Sequence, residues 1–243
     1  MKTCLVVVLG IALLGAECRA QQRAKYQVIE VNDGGTITGV VKFVGKAPGQ
    51  KKLTITKNKE VCAKQPVFSE EILVSKGTGG LKNVVVSIVD ITKGAKLEIS
   101  GKRPAIDQSG CVFRPHVQLV AAGSKLEILN NDGILHNFHT YGIKNRPINL
   151  AQPKAVKKLK VSFANPEIIK VGCDVHNWMS AWIIVKAHPY YARTDDTGKF
   201  EMTNVPPGTY LVQFWHEALG MQEKKVTVKP KTASRVNVEF AAK

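Results

Sequence analysis

Apolar and polar residues alternate with a period of two along most of the chain. Lys125-Leu-Glu-Ile-Leu129, Lys225-Val-Thr-Val-Lys229 and Arg235-Val-Asn-Val-Glu-Phe240 carry the pattern cleanly. Successive side chains of an extended strand point to opposite faces, so this period buries one face and wets the other. Residues 36–44, 84–89, 167–171, 182–185 and 209–214 are rich in β-branched and aromatic residues and are also predicted strands. Turn-forming residues separate them: Asn32-Asp-Gly-Gly35, Asn131-Asp-Gly133, Asp195-Asp-Thr-Gly198 and Pro206-Pro-Gly208. No stretch keeps a 3.6-residue apolar period. The pattern predicts an all-β protein of sandwich type.

The first twenty residues break this pattern. Met1-Lys2 is followed by an apolar run over 5–14 and then by Cys18-Arg19-Ala20. The run is shorter than the ~20 residues that span a bilayer. A basic start, a short apolar run and a small-x-small end predict a signal peptide over 1–20. Lipoprotein processing at Cys18 is the weaker alternative, because Glu17 stands where a small residue is wanted. No later apolar run approaches the length of a spanning helix. The expected mature protein is soluble and lies in the periplasm or is secreted.

Composition narrows the class. The 243 residues are 44% hydrophobic and 22% charged, which argues against disorder. The length suits one large β domain or two small ones. The charge is +16; removing Lys2, Arg19 and Glu17 leaves 33 basic and 18 acidic residues, or +15. An exported protein rarely meets nucleic acid, and the lysines at 51–52, 154–160 and 224–231 form no helical stripe. The excess of charge is read as a solvated basic surface, or as attraction to acidic partner proteins.

The candidate chemistry lies between residues 130 and 179. Cys173-Asp-Val-His176-Asn-Trp-Met179 places a thiolate, an imidazole and a thioether within seven residues, and His136-Asn-Phe-His139 follows the Asn-rich turn upstream. Two His, one Cys and a distant Met form the donor set of a blue-copper site. A soft thiolate donates covalently to copper, and two neutral imidazoles complete a trigonal plane. A weak axial thioether suits both oxidation states. Zn(II) can also occupy such donors.

Here the chain resembles the cupredoxins, most closely those of amicyanin type, in the spacing Cys-x2-His-x2-Met and in a His-Asn-x-His run after a turn. The resemblance covers Cys111 to Ala187. It implies one copper ion, with His136, Cys173 and His176 as equatorial ligands and Met179 as axial ligand. It implies that Asn137 braces the two ligand segments by hydrogen bonding. The family's loop prolines are replaced by Val175 and Asn177, and Asp174 follows the thiolate; its carboxylate is expected to face solvent, the alternative being an inward carboxylate that would favour Cu(II) and lower the potential. His139, three residues from His136, is expected to point to the opposite strand face. His116, His188 and His216 have no ligand spacing, and Trp178 and Trp182 are expected to pack around the site.

With Cys173 in this context, Cys62 and Cys111 remain as the preferred disulfide of an exported chain. The alternative is a second metal site from Cys62, Cys111 and His116.

A second resemblance lies at the two ends. Gly39-Val-Val-Lys-Phe-Val-Gly45, Asn83-Val-Val-Val-Ser87, Thr194-Asp-Asp-Thr-Gly-Lys-Phe200 and Val205-Pro-Pro-Gly-Thr-Tyr210 are similar to the carboxypeptidase-regulatory, transthyretin-like sandwich. In that family the opening strands and the Asp-x-x-Gly-x-Phe hairpin lie close together. Here the separation implies a split sandwich, 21–105 with 189–243, and a cupredoxin-like Greek-key domain inserted over 106–188.

Absences narrow the function. A dinuclear copper centre needs a second Cys in the loop. Multicopper oxidases and copper nitrite reductases carry His where Gly172 stands. Gly-x-Ser-x-Gly, His-Glu-x-x-His and a phosphate loop are missing. The chain is therefore expected to be no enzyme but a one-electron carrier between redox partners; the amicyanin-type resemblance implies a cytochrome or dehydrogenase as partner, and the basic charge would steer one of acidic surface. A copper storage or delivery protein is the alternative, and so is a non-metal β-sandwich binding module.

Overall fold

The computed structural model describes residues 26–98 and 103–242. The expected signal peptide lies outside the described residues. Among them no helix is long and apolar enough to cross a membrane. The described residues are all-β apart from a single helical turn, Lys59–Cys62.

Two β-sandwiches account for most strands. In the first, one sheet has the order Asn149–Gln152, His136–Thr140, Glu167–Gly172, Ser180–Lys186, Val117–Ala121, with the last pair parallel. The facing sheet has the order Lys158–Ser162, Lys125–Asn130, Ala105–Gln108, Phe113–Arg114. Phe138, Ile169, Val171, Ala181 and Ile183 from the one meet Ile106, Phe113, Leu126 and Ile128 from the other. In Lys125–Asn130 the inward residues are the alternate ones, Leu126, Ile128 and Asn130, as a period of two requires.

The second sandwich pairs Tyr191–Arg193, Val85–Ile88, Gly208–His216 and Gly220–Val228 against Lys199–Val205, Gly35–Val44 and Ala233–Arg235. Ile37, Val41, Phe43, Val86, Val212, Phe214 and Phe240 fill its core. Residues 235–240, read as one strand, are two: Ala233–Arg235 and Val238–Ala241, both parallel to Gly35–Val44. At the break, the side chain of Asn237 accepts the N–H of Val40 at 3.0 Å and replaces a ladder bond. Gly39 lies opposite the break, where the carbonyl of Val236 leaves no room for a Cβ.

Ser180–Lys186 is buried on both faces. Ile183 and Val185 face its own core, whereas Ile184 meets Val85, Val117 and Trp215 between the sandwiches. A continuous apolar run marks such a strand. Trp182 therefore sits at the junction, edge-on to Trp215 with ring centroids 5.1 Å apart, and not around the cysteine and histidines. Beside it Glu217 accepts the indole N–H of Trp182 at 2.7 Å and pairs with the buried His116.

Residues 52–68 belong to neither sandwich's sheets. Ile55, Val61 and Cys62 pack into the core of the first sandwich, and Cys62 is bonded to Cys111. His116 thus pairs with Glu217, away from those sulfurs.

Candidate metal centre

Sheet register brings the two donor segments together. His136–Thr140 lies antiparallel to Glu167–Gly172, with Gly172 opposite His139. Cys173 follows directly after that strand. The next residues turn back, and the N–H of Met179 donates to the carbonyl of His176 at 2.9 Å before Ser180–Lys186 begins. The tight return places Cys173, His176 and Met179 in one loop, all buried.

Three donor atoms converge. Nδ1 of His136 lies 2.9 Å from Nδ1 of His176. Sγ of Cys173 lies 4.0 Å from the first and 3.8 Å from the second. Both rings are 0% exposed.

The outer nitrogens fix the tautomers. Nε2 of His136 faces the Asp132 carboxylate at 2.9 Å. Nε2 of His176 faces Oδ1 of Asn58 at 2.9 Å. Both partners are acceptors, so each Nε2 carries the ring hydrogen and each Nδ1 of a neutral ring presents a lone pair. Two lone pairs 2.9 Å apart repel unless a cation, proton or metal, lies between them. Borderline and soft ions take such an imidazole and thiolate set. The residues therefore fit a copper or zinc ion.

The electrostatics agree. Burial pushes the His136 imidazole down, but hydrogen bonds to Asp132 and Cys173 outweigh it and leave it above its ordinary value. Burial, with the charge of His136, pushes His176 down to about 4. Burial alone would raise the Cys173 thiol. Hydrogen bonds from His136 and the backbone N–H of Asn137 hold it below the usual thiol range. The pocket favours a thiolate beside a positive charge.

Asn137 joins the two segments. Its backbone N–H points to Cys173 Sγ at 3.4 Å, and its side-chain oxygen accepts the N–H of Asp174 at 2.5 Å. Its amide nitrogen donates to Asp174 and Asn149. The Asp174 carboxylate turns outward to Asn137, His139 and Asn149, away from the three donors. His139, on the opposite strand face, meets Asp174 at 2.9 Å and stacks on Tyr141. Trp178 packs against His176 and donates to the carbonyl of Cys111 at 3.0 Å.

Asp132 and Asn58 carried no signal of this role in the sequence. Asp132 reads as a turn residue, and its turn is completed by Gly133 at φ 69°. It returns onto His136 because its two oxygens also accept the N–H groups of Gly110 and Cys111. Asn58 lies 118 residues from its partner.

A family model described as the carboxypeptidase regulatory-like domain matches residues 181–241. No curated protein matches the chain. Among solved structures, a copper-containing nitrite reductase from Thermus scotoductus SA-01 aligns at 17% identity and TM-score 0.33, over 36% of this chain and 23% of that one. An amicyanin variant in its Cu(I) form aligns at 14% identity and TM-score 0.32, over 37% of this chain and 87% of that one. A purple cupredoxin from Nitrosopumilus maritimus aligns at 16% identity and TM-score 0.30, over 34% of this chain and 99% of that one. The chain thus spans less than a quarter of the length of the nitrite reductase, and nearly all of the length of the two small cupredoxins.

Proposed function

We propose that this chain is an exported mononuclear type 1 copper protein that carries single electrons between redox partners. The observation that carries the reading is the convergence of His136 Nδ1, His176 Nδ1 and Cys173 Sγ within 4.0 Å, with both outer ring nitrogens already engaged. His136, Cys173 and His176 would hold the ion, and Met179, in the same loop, would add a thioether. Copper supplies a one-electron couple. The chain's own residues hold the donors in one geometry for both oxidation states, so that little moves when the electron does. Asn137 ties the strand bearing His136 to the loop bearing Cys173. The buried imidazoles keep bulk water from the donors.

In the same reading residues 106–188 form the metal unit, inserted in a split sandwich of 21–105 and 189–243. A disulfide supports an oxidising compartment, periplasmic or secreted. The +16 charge suits an acidic redox protein as partner, and such encounters weaken with salt.

The test is to load the purified mature chain with Cu(II) and record visible absorption and EPR beside Cys173→Ser. An intense thiolate-to-copper band that the variant lacks is expected. A colourless chain that retains no copper overturns the reading.

A further inference from the structure

The segment 52–68 is an excursion that closes neither sandwich. Its ends pair with each other: the N–H of Leu53 donates to Val67 at 2.8 Å and that of Ser69 to Lys51 at 2.8 Å. Its far end is pinned by Cys62–Cys111, and Ile55 and Val61 seat it on the core beneath. At that end Asn58 has φ 47°, a left-handed conformation that Asn tolerates better than most residues. Its amide nitrogen reaches Glu60 at 3.4 Å, which turns the oxygen toward His176 Nε2.

The disulfide stitches both outer supports of the imidazoles together. On one side Cys62 ends the helical turn that Asn58 opens. On the other, the N–H of Cys111 donates to the Asp132 oxygen that faces His136, at 2.9 Å. Trp178, packed on His176, donates to the carbonyl of the same Cys111.

We infer that residues 52–68 form a disulfide-pinned latch over the centre, in which Asn58 is a positioning residue that holds the imidazole of His176 and slows release of the ion. The inference rests on the copper reading above. Asn58 touches no donor atom that faces the ion; it acts through His176. A ring whose outer N–H is held cannot swing away, and a covered ring cannot be reached by a competing ligand. Outer partners of metal-bound histidines are typically worth about 10- to 100-fold in affinity.

The test uses the full mature chain, loaded with copper and reduced to Cu(I), then challenged with excess bicinchoninate. Asn58→Gly keeps the left-handed backbone and removes the oxygen; it is expected to release copper about 10- to 100-fold faster. Asn58→Asp keeps an acceptor at the same place but loses the amide donor to Glu60, and is expected to release copper more slowly than Asn58→Gly. Cys62→Ser with Cys111→Ser is expected to behave like Asn58→Gly. A second readout needs no copper: the ring Nε2–H of His176, followed by NMR in the metal-free chain, should exchange slowly in wild type and Asn58→Asp but not in Asn58→Gly. A wild-type chain without a thiolate–copper band overturns the copper reading and this inference with it. A normal band, with release and ring signal unchanged in Asn58→Gly, overturns this inference alone.

Discussion

The carboxylate of Asp132 lies 2.9 Å from Nε2 of His136, four residues along the chain, and also accepts the N–H groups of Gly110 and Cys111. One side chain thus anchors a donor ring to the disulfide loop. It fixes the ring hydrogen on Nε2 and makes Nδ1 a better base.

Asp132→Ala should therefore weaken copper binding by about 10- to 100-fold in a chelator competition. Asp132→Asn should lose less, since it keeps one acceptor oxygen but not the charge. Equal affinity in all three proteins would show that the carboxylate serves only the turn.

Asn137 is buried between the strand of His136 and the loop of Cys173. Asn137→Ala would leave the N–H of Asp174 without its acceptor and free the loop to shift. The expected cost is about 1–3 kcal/mol in urea unfolding of the metal-free chain, together with a displaced thiolate–copper band. A lower unfolding midpoint with an unmoved band would assign Asn137 to stability and not to the geometry of the centre.

Much of this was legible in the sequence, and the parts that were not share one cause. Period-two patterning located the strands because each sandwich wets one face of most of them. It failed at 235–240, where the side chain of Asn237 takes over a ladder bond and splits the strand. Trp182, expected around the donors from its nearness in sequence to the metal loop, lies instead on the outward face of its strand, which meets the second sandwich. Cys173, His176 and Met179 stand at local spacing, so the sequence displays them as a set. Asn58 and Asp132 act by tertiary return of loops, and no local spacing encodes that. His116 and Glu217 are 101 residues apart and meet only because the two sandwiches pack.

That last pair should give the junction a pH dependence on the alkaline side. Burial pushes His116 down, but the hydrogen bond and charge of Glu217 outweigh it and hold it above 6.5. A histidine raised in the folded state stabilises fully below its unfolded value, and that stability is lost as pH rises through the higher folded value. Urea midpoints should thus fall as pH rises above 6.5, and Glu217→Gln should lessen that fall. His188 and His216 act oppositely. Burial lowers both to about 4, so their contribution is lost as pH falls from 6.5 toward 4. A wild-type midpoint with no more alkaline slope than Glu217→Gln would refute the assignment to this pair.

Met179 offers the sharpest separation of metal chemistry from packing. Its side chain is buried, and it ends the loop that carries the other two donors. Met179→Leu nearly conserves volume, so the metal-free chain should lose less than about 1.5 kcal/mol. As a ligand the thioether would stabilise Cu(II) more than Cu(I), because the higher charge gains more from an extra donor. Its removal should therefore raise the reduction potential and alter the EPR hyperfine pattern while the thiolate band persists. Cyclic voltammetry on wild type and Met179→Leu measures this directly. An unchanged potential with an unchanged spectrum would make Met179 a core residue and leave the centre with three donors, His136, Cys173 and His176.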